Sequence, residues 1–524
     1  MRTADRSGGR SVLVAGLCVW GIWESVYGLS QVLGWRSSRH VLYALTGHFQ
    51  NPGPFGGFIA CVMAVAGSWL LMPGHDKCVF RSSPQPKQQG LSRFWPESWP
   101  APRQTALLAL SVLAWLTLAT GFLVLPASMS RAGWLGLVVA LGIESLRLAK
   151  VRDWMHAHRW AVPATIIASI MLLVGAFILK PDSALGRLHV WRMECRAIAE
   201  RPWRGAGPGM GPWAYGEAQE AFFRERLATV SPATIRVAGC PEYAFNEFLG
   251  LGVEYGLPAL LLSMLLVVSS ILVLHRSNSP LAAGLTTWAV FACASYPLSV
   301  PQLRILGAVF IIVAIVSGAL QAAGSCRPKT SLRSSLPRLP AWTPPAYEAA
   351  GGHGFLGGTA CRLFAGLLPG ISAILLVGWM MLPCLSAAPG SADRERFQEL
   401  YSEGYALHQM GRYEESTKVL EKGARLSCDP MFEIIMGKNA EALGDFDRAE
   451  VLYEKAHYMV PSRLYPMVRL MRLQIRQESD EAALKTAREI VSMPVNDRNA
   501  GMTRLHKETQ VTLDSLASIL RTDG

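Results

Sequence analysis

Apolar residues run almost unbroken for about 20 positions in several places along this chain, and short stretches rich in turn residues, arginine and lysine separate the runs. A helix rises about 1.5 Å per residue, so a run of about 20 crosses the ~30 Å hydrocarbon core of a bilayer. The pattern predicts nine spans, at about 11–32, 54–73, 104–126, 132–149, 160–179, 248–274, 281–298, 304–323 and 363–387. The opening MRTADRSGGR followed by SVLVAGLCVWGIWESVYGL has the outline of a signal peptide, but no small-residue cleavage site follows it. An uncleaved first span is therefore expected.

From about 394 the pattern changes to charged, helical periodicity. GYALHQMGRYEESTKVLEKGARLSCDP is followed by GKNAEALGDFDRAEVLYEKAHYMVP, with Gly404 matching Gly437 and Gly411 matching Gly444 at a spacing of 33. Small Gly437, Gly444, Ala449 and Ala456, the ring of Tyr453 and the terminating Pro461 resemble the tetratricopeptide repeat, a helix–turn–helix unit of about 34 residues. Ser416 departs from that pattern where alanine is usual. A third pair at about 464–494 fits poorly, and 503–522 reads as a closing helix. The expected fold is all-α: a multi-pass transmembrane bundle at 1–323, a Pro/Ser/Gly-rich linker at 324–361, a last span within 362–388 and a tetratricopeptide-like α-solenoid at 394–524.

Composition agrees with a membrane chain: 51% of the 524 residues are hydrophobic and 17% are charged, against about 25% charged in soluble domains. The net charge of +12 reflects basic short connections rather than a nucleic-acid partner. Arginine and lysine at the N-terminus and in alternate connections (Lys77 to Arg103, Lys150 to Arg159, Arg276, Arg327 to Arg338) all fall on one face, which is therefore expected to be cytoplasmic. The linker then lies inside. The periplasmic face holds 33–53, 127–131, the large loop 180–247, 299–303 and the repeats. The ten cysteines show no metal-ligand spacing, and no metal or cofactor is expected. Cys195 and Cys240 share the large loop, where a disulfide is an open question.

Some arginines break the charge rule. Arg131 opens the fourth span in SRAGW, Arg304 opens the eighth, and Arg187, Arg192, Arg196, Arg201 and Arg204 crowd the start of the large loop against Glu194 and Glu200. Guanidinium is a planar fork of donors suited to phosphate oxygens, so a cluster at an outer surface points to a lipid headgroup or pyrophosphate. Pairing with the two glutamates is the structural alternative. RLHVWRMECRAIAE reads as an amphipathic helix with Leu188, Trp191, Cys195 and Ile198 on one face, Trp191 at headgroup level. The glycine-rich RPWRGAGPGMG after it either turns backbone N–H groups toward an anion or makes a tight turn.

SRAGW, GRLHVWR, RPWRGAGPGMGPWAYGEAQ and AFNEFLGLGVEYGLPALLL, in this order around one large loop, with GHFQNPGPFGGF before the second span, resemble the O-antigen ligase and polymerase family over about 40–310. The resemblance implies a metal-independent, inverting glycosyltransferase of the lipid-sugar-dependent fold class in the bacterial inner membrane. It would move a glycan from undecaprenyl pyrophosphate to an acceptor hydroxyl on lipid A core or protein. Arg131 and Arg187 match the family arginines that hold the pyrophosphate. Arg192 and Arg204 are nearby by spacing, Arg304 faces the same side, Asn51 and Asn246 are polar groups suited to a sugar, and Trp213 and Tyr215 offer rings to stack on one.

Where many ligases have a His-Asn pair, this chain has Phe245-Asn246, and a phenyl ring takes no proton. Glu247, or one of His189, His48 and His40, remains as base, or none is needed. Glu247 has a structural alternative as an ion-pair partner, and Glu254 shares its helical face two turns on. Four functions compete: a ligase, a polymerase of the same glycan, a non-catalytic scaffold whose repeats gather a partner protein, and a transporter, which would need charged residues deep within several spans where few occur, chiefly Glu24, Glu144 and Glu254.

Overall fold

The computed structural model describes residues 2–72, 102–178, 181–325, 389–493 and 500–522. Every regular element among them is helical. The apolar part of the chain forms α1 (Arg2–Val32), α2 (Pro52–Leu71), α3 (Pro102–Val124), α4 (Arg131–Leu146), α5 (Ala149–Ala157), α6 (Ala161–Ile178), α7 (Pro181–Glu200), α8 (Gly211–Arg226), α9 (Pro232–Val237), α10 (Glu247–Tyr255), α11 (Leu257–Arg276), α12 (Leu281–Ala292) and α13 (Pro301–Ser325). The tail forms α14 (Pro389–Gln409), α15 (Tyr413–Ala424), α16 (Met431–Leu443), α17 (Phe446–Met459), α18 (Tyr465–Arg476), α19 (Asp480–Ser492) and α20 (Ala500–Thr522).

Among the described residues, five helices are long and apolar enough to cross a membrane: Gly9–Val32 within α1, α2, Thr105–Val124 within α3, α11, and Pro301–Ala322 within α13. The chain is thus a multi-pass membrane protein. Three expected spans differ from the pattern. The fourth stops at Leu146, where charged residues follow and Arg147 turns back to Glu144 at 3.2 Å. The sixth is two helices, because Gly256 adopts φ +85 and Leu257 N–H donates to Pro202 O at 2.7 Å instead of continuing the helical ladder. The seventh is only 12 residues long, about 18 Å, and Pro297 and Pro301 bar its continuation. The fifth coincides with α6, an 18-residue, mostly apolar helix. The ninth lies outside the described residues, as does most of the linker.

The helices divide into two compact units. The first comprises the described residues to Leu148, Leu262–Ala289 and the described residues from Gln302 to Ser325. Its centre is α2, with 83% of its span window buried, against 28% for α3. Helix contacts in membranes depend on close approach, and small residues permit it. A side chain at Gly133 of α4 would meet the Gly56 carbonyl of α2 at 2.9 Å, so only glycine allows this crossing. Thr287 of α12 donates its hydroxyl to Gly136 O at 3.2 Å.

The second unit comprises Ala149–Leu261, Val290–Pro301 and the described tail. Its tail packs as consecutive helix pairs, α14 on α15, α16 on α17 and α18 on α19, closed by α20. Small residues let α16 and α17 approach closely: a side chain at Gly437 would lie 2.6 Å from the Tyr453 ring, and Ala449, Tyr453 and Ala456 are wholly buried. Buried Ser416 is tolerated in place of alanine because its hydroxyl donates to Gly404 O at 2.7 Å and accepts from Asn439 at 2.9 Å.

The tail does not stand apart from the large loop. Gln219 of α8 donates to Met459 O at the end of α17, Lys455 pairs with Glu217 at 2.9 Å, and the Arg224 guanidinium lies 4.8 Å from the Tyr458 ring centre. Val190, Met193, Tyr215, Phe222, Phe223 and Cys428 share one apolar cluster. Nothing in the repeat pattern announces this docking.

Candidate functional site

In the first unit, chemistry collects around the N-terminus of α2. Asn51 caps the helix: its extended backbone and its side-chain oxygen, which accepts from Gly53 N–H at 2.9 Å, start α2 ahead of Pro52. Its capping oxygen is therefore committed to the backbone. Ser130 donates to Gly53 O at 2.9 Å, which fastens the start of α4, and with it half-buried Arg131, beside the start of α2. On the α1 side, the His48 Nδ1 lies 3.0 Å and 3.1 Å from the two Glu24 oxygens, and the His48 ring stacks on Tyr27 at 3.9 Å between centres. Arg304, in the first turns of α13, has a buried Nε with no hydrogen-bond partner among the described residues.

In the second unit, α7 carries the arginine row. Its buried face is His189, Val190, Met193, Glu194, Ala197 and Ile198, while Leu188 and Cys195 are exposed. The expected apolar stripe is thus displaced around the helix, because His189 and Glu194 go inside. Trp191 donates its indole N–H to Phe245 O at 3.2 Å and serves as a loop brace. Arg187 lies 5.4 Å from the Phe245 ring centre, Arg192 4.7 Å from Phe222, and Arg201 4.9 Å from Trp213. Arg196 pairs with Glu225 at 2.8 Å, not with Glu194 or Glu200. Arg204 is exposed, and so is the neighbouring Trp203, 77% accessible. The sequence pattern counts Arg201 only as one of a crowd; its buried Nη1 has no hydrogen-bond partner among the described residues.

The glycine-rich turn does not cradle an anion with the amides that sequence suggested. Ala206 N–H donates to Val253 O at 2.8 Å and Gly207 N–H to Glu254 O at 2.9 Å, which closes the end of α10. A side chain at Gly205, with φ +66, would lie 2.4 Å from the Glu254 carbonyl carbon. This is the tight-turn alternative.

Asn246 is the N-cap of α10, accepting from Phe248 and Leu249 N–H at 3.1 and 3.2 Å. Phe245, before it, sits at φ +51 with its ring against Arg187 and 5.7 Å from Tyr296. Glu247 accepts from Leu298 N–H at 2.6 Å and also from Ser299 N–H, pinning α10 to the 3-10 turn Pro297–Ser299. Withdrawal of its carboxylate from water pushes Glu247 up to about 7, with Glu254 adding to the rise. Burial also holds Glu194 well above the carboxylate range, helped by Glu247. These amide bonds anchor Glu247 to backbone, and it forms no ion pair with an arginine among the described residues.

Tyr215 is not available to a sugar. It is 3% exposed, its hydroxyl donates to Gln219 Oε1, and the same oxygen accepts from His189 Nε2 at 2.8 Å. Burial lowers His189 and raises Tyr215, so both stay neutral. Trp213 retains partial exposure but its ring carries Arg201. Cys195 is exposed and free, and Cys240 contacts the repeats instead, its thiol donating to Cys428 O at 2.9 Å. No Cys195–Cys240 bond is formed.

Together these features define a helical multi-pass membrane protein with an arginine-lined loop unit. Residues 116–264 match the family model described as O-Antigen ligase. The matched region contains Arg131, Arg187, Arg192, Arg204, Tyr215, Asn246 and Glu247; Asn51 and Arg304 lie outside it. The match points to a ligase or polymerase role in glycan transfer, with a lipid-linked glycan and an acceptor. No curated protein and no solved structure matches the chain.

Proposed function

We propose that the protein transfers a glycan from undecaprenyl pyrophosphate to an acceptor hydroxyl, on lipid A core or on protein, at the periplasmic face of the bacterial inner membrane. One observation carries this reading. Within the residues that match the O-Antigen ligase model, Arg187, Arg192 and Arg201 each lie over an aromatic ring. A ring engages the flat face of a guanidinium, whereas phosphate oxygens bind along its N–H edge. The buried Nη1 of Arg201, which has no hydrogen-bond partner among the described residues, supports an anionic occupant near that end of α7.

In this mechanism Arg187 holds the pyrophosphate, and Arg131 is assigned the same task by the family resemblance. Arg192, Arg201 and Arg204 add positive potential for charge that develops as the anomeric C–O bond breaks, and Arg304 is assigned to the substrate from its sequence position alone. The acceptor oxygen attacks the anomeric carbon from the opposite face, with inversion and without a metal. Asn51 and Asn246 shape the site as helix caps. The nine-span topology, with the N-terminus inside, puts the arginine loop and the repeats outside. The tail is read as a tetratricopeptide-like solenoid that braces the loop through α8 and offers its remaining surface to the acceptor or a partner protein.

The test uses membranes from cells lacking the gene, complemented with wild type, Arg131→Ala or Arg187→Ala at matched expression. Release of undecaprenyl pyrophosphate from the host's own lipid-linked glycan is followed. Each substitution is expected to lower the rate at least about 100-fold, the scale of losing one preorganised donor. Undiminished release in both variants contradicts the assignment.

A further inference from the structure

Glu24 lies inside the first span, where an ionisable side chain is costly and marks a functional site more often than a structural one. It is 4% exposed. Its only ion-pair partner among the described residues is His48, which reaches it because the segment after α1 folds back. Gln31 fixes that fold: its side-chain oxygen accepts from Thr46 N–H at 3.0 Å and Gly47 N–H at 2.8 Å. Gly47, at φ +60, packs so tightly that a side chain there would lie 2.4 Å from the Phe55 ring and 3.2 Å from Glu24 Oε2. His48 N–H also donates to Glu24 Oε2 at 3.3 Å. The ring is therefore held by backbone, side chain and Tyr27, while 29% of its side chain stays exposed.

A carboxylate only accepts, so it keeps the proton on Nδ1 and leaves Nε2 as the basic atom. Nε2 makes no hydrogen bond among the described residues. The other groups suited to this task are occupied. His189 is buried against Gln219, the His40 Nδ1 accepts from Leu42 N–H at 3.1 Å, and Glu247 is held by two backbone amides.

We propose that His48, oriented by Glu24, takes the proton of the acceptor hydroxyl. This rests on the transfer reading above. As the acceptor oxygen forms its bond to the anomeric carbon, the anomeric C–O bond to pyrophosphate breaks and that electron pair leaves with undecaprenyl pyrophosphate. The hydroxyl proton goes to His48 Nε2, and Glu24 balances the imidazolium until the proton passes to water. Asn51 and Ser130 fix the start of α2, which opens four residues after His48 in the chain. His48 is the catalytic residue and Glu24 its positioning residue.

The full-length protein in membranes is tested as His48→Ala, His48→Gln and Glu24→Gln, with Arg131→Ala as reference and the host's lipid-linked glycan as probe. His48→Ala and His48→Gln are expected to slow release of undecaprenyl pyrophosphate by about 100-fold or more, the range of general base assistance. Added imidazole should restore His48→Ala, whose vacated space admits it, and not His48→Gln. Glu24→Gln should fall between wild type and His48→Ala. Wild-type rates in His48→Ala beside an inactive Arg131→Ala overturn the dyad and leave the transfer reading standing. An inactive His48→Ala that imidazole does not restore also overturns it. Full rates in Arg131→Ala as well count against the transfer reading itself.

Discussion

Glu247 shows how a single side chain in this protein carries two messages. In the sequence it is an acid at the door of an apolar run, equally suited to chemistry or to pairing. In the fold its oxygen accepts from Leu298 N–H at 2.6 Å, and loss of water pushes it up to about 7. A carboxyl raised on folding binds more protons in the folded state than in the unfolded one, so its contribution to stability is present below about 4.5 and is lost as pH rises to about 7. Glu194 acts in the same direction. The thermal midpoint of the detergent-solubilised protein is therefore expected to fall between about pH 5 and 7, and Glu247→Gln should flatten that slope. An unchanged slope in the variant contradicts the assignment. The arginines make the complementary point: their crowding at the start of the large loop is legible in the sequence, but which of them stacks on which ring depends on contacts up to 58 positions apart, as between Arg187 and Phe245.

At the scale of elements, the long helices α1, α2, α3, α11 and α13 are legible because an uninterrupted apolar run has few alternatives in a bilayer. Breaks are harder. The run from 248 stays apolar across Gly256, and the φ of +85 there, together with the tertiary bond from Leu257 N–H to Pro202 O, divides it. The face of α7 is misread for a related reason: buried His189 and Glu194 look like surface residues, and exposed Leu188 looks like core. Buried His189 depends on Gln219, brought by another element, whereas the buried Glu194 Oε2 has no hydrogen-bond partner among the described residues. Gln219 joins α7, the turn at Gly239 and the end of α17 through His189, Gly239 O and Met459 O. Gln219→Ala should leave His189 and Tyr215 unsatisfied and lower stability by about 3 kcal/mol, since each buried orphan costs about 1–3 kcal/mol. The check is thermal unfolding together with limited proteolysis of the repeats, which should become more sensitive; unchanged values contradict the network's role.

At the scale of the molecule, the sequence divides the chain into spans, a loop and a tail, whereas the structure groups the loop and the tail in one unit. Repeat periodicity reports how helices pack on their neighbours in sequence; it carries no information about α17 meeting α8, more than 200 positions earlier. The glycan-transfer account treats the docked repeats as a brace for the arginine loop. The O-Antigen ligase match covers the loop and not the tail.

The most direct measurement compares undecaprenyl-linked glycans and envelope glycoconjugates, by chain length, in cells lacking the gene and in the same cells carrying wild type or Arg187→Ala. The account predicts long glycans stranded on the carrier in the deletion, cleared by wild type and not by Arg187→Ala. Single units reaching the acceptor would mean a polymerase instead, and pools that do not change in either strain would contradict glycan transfer altogether.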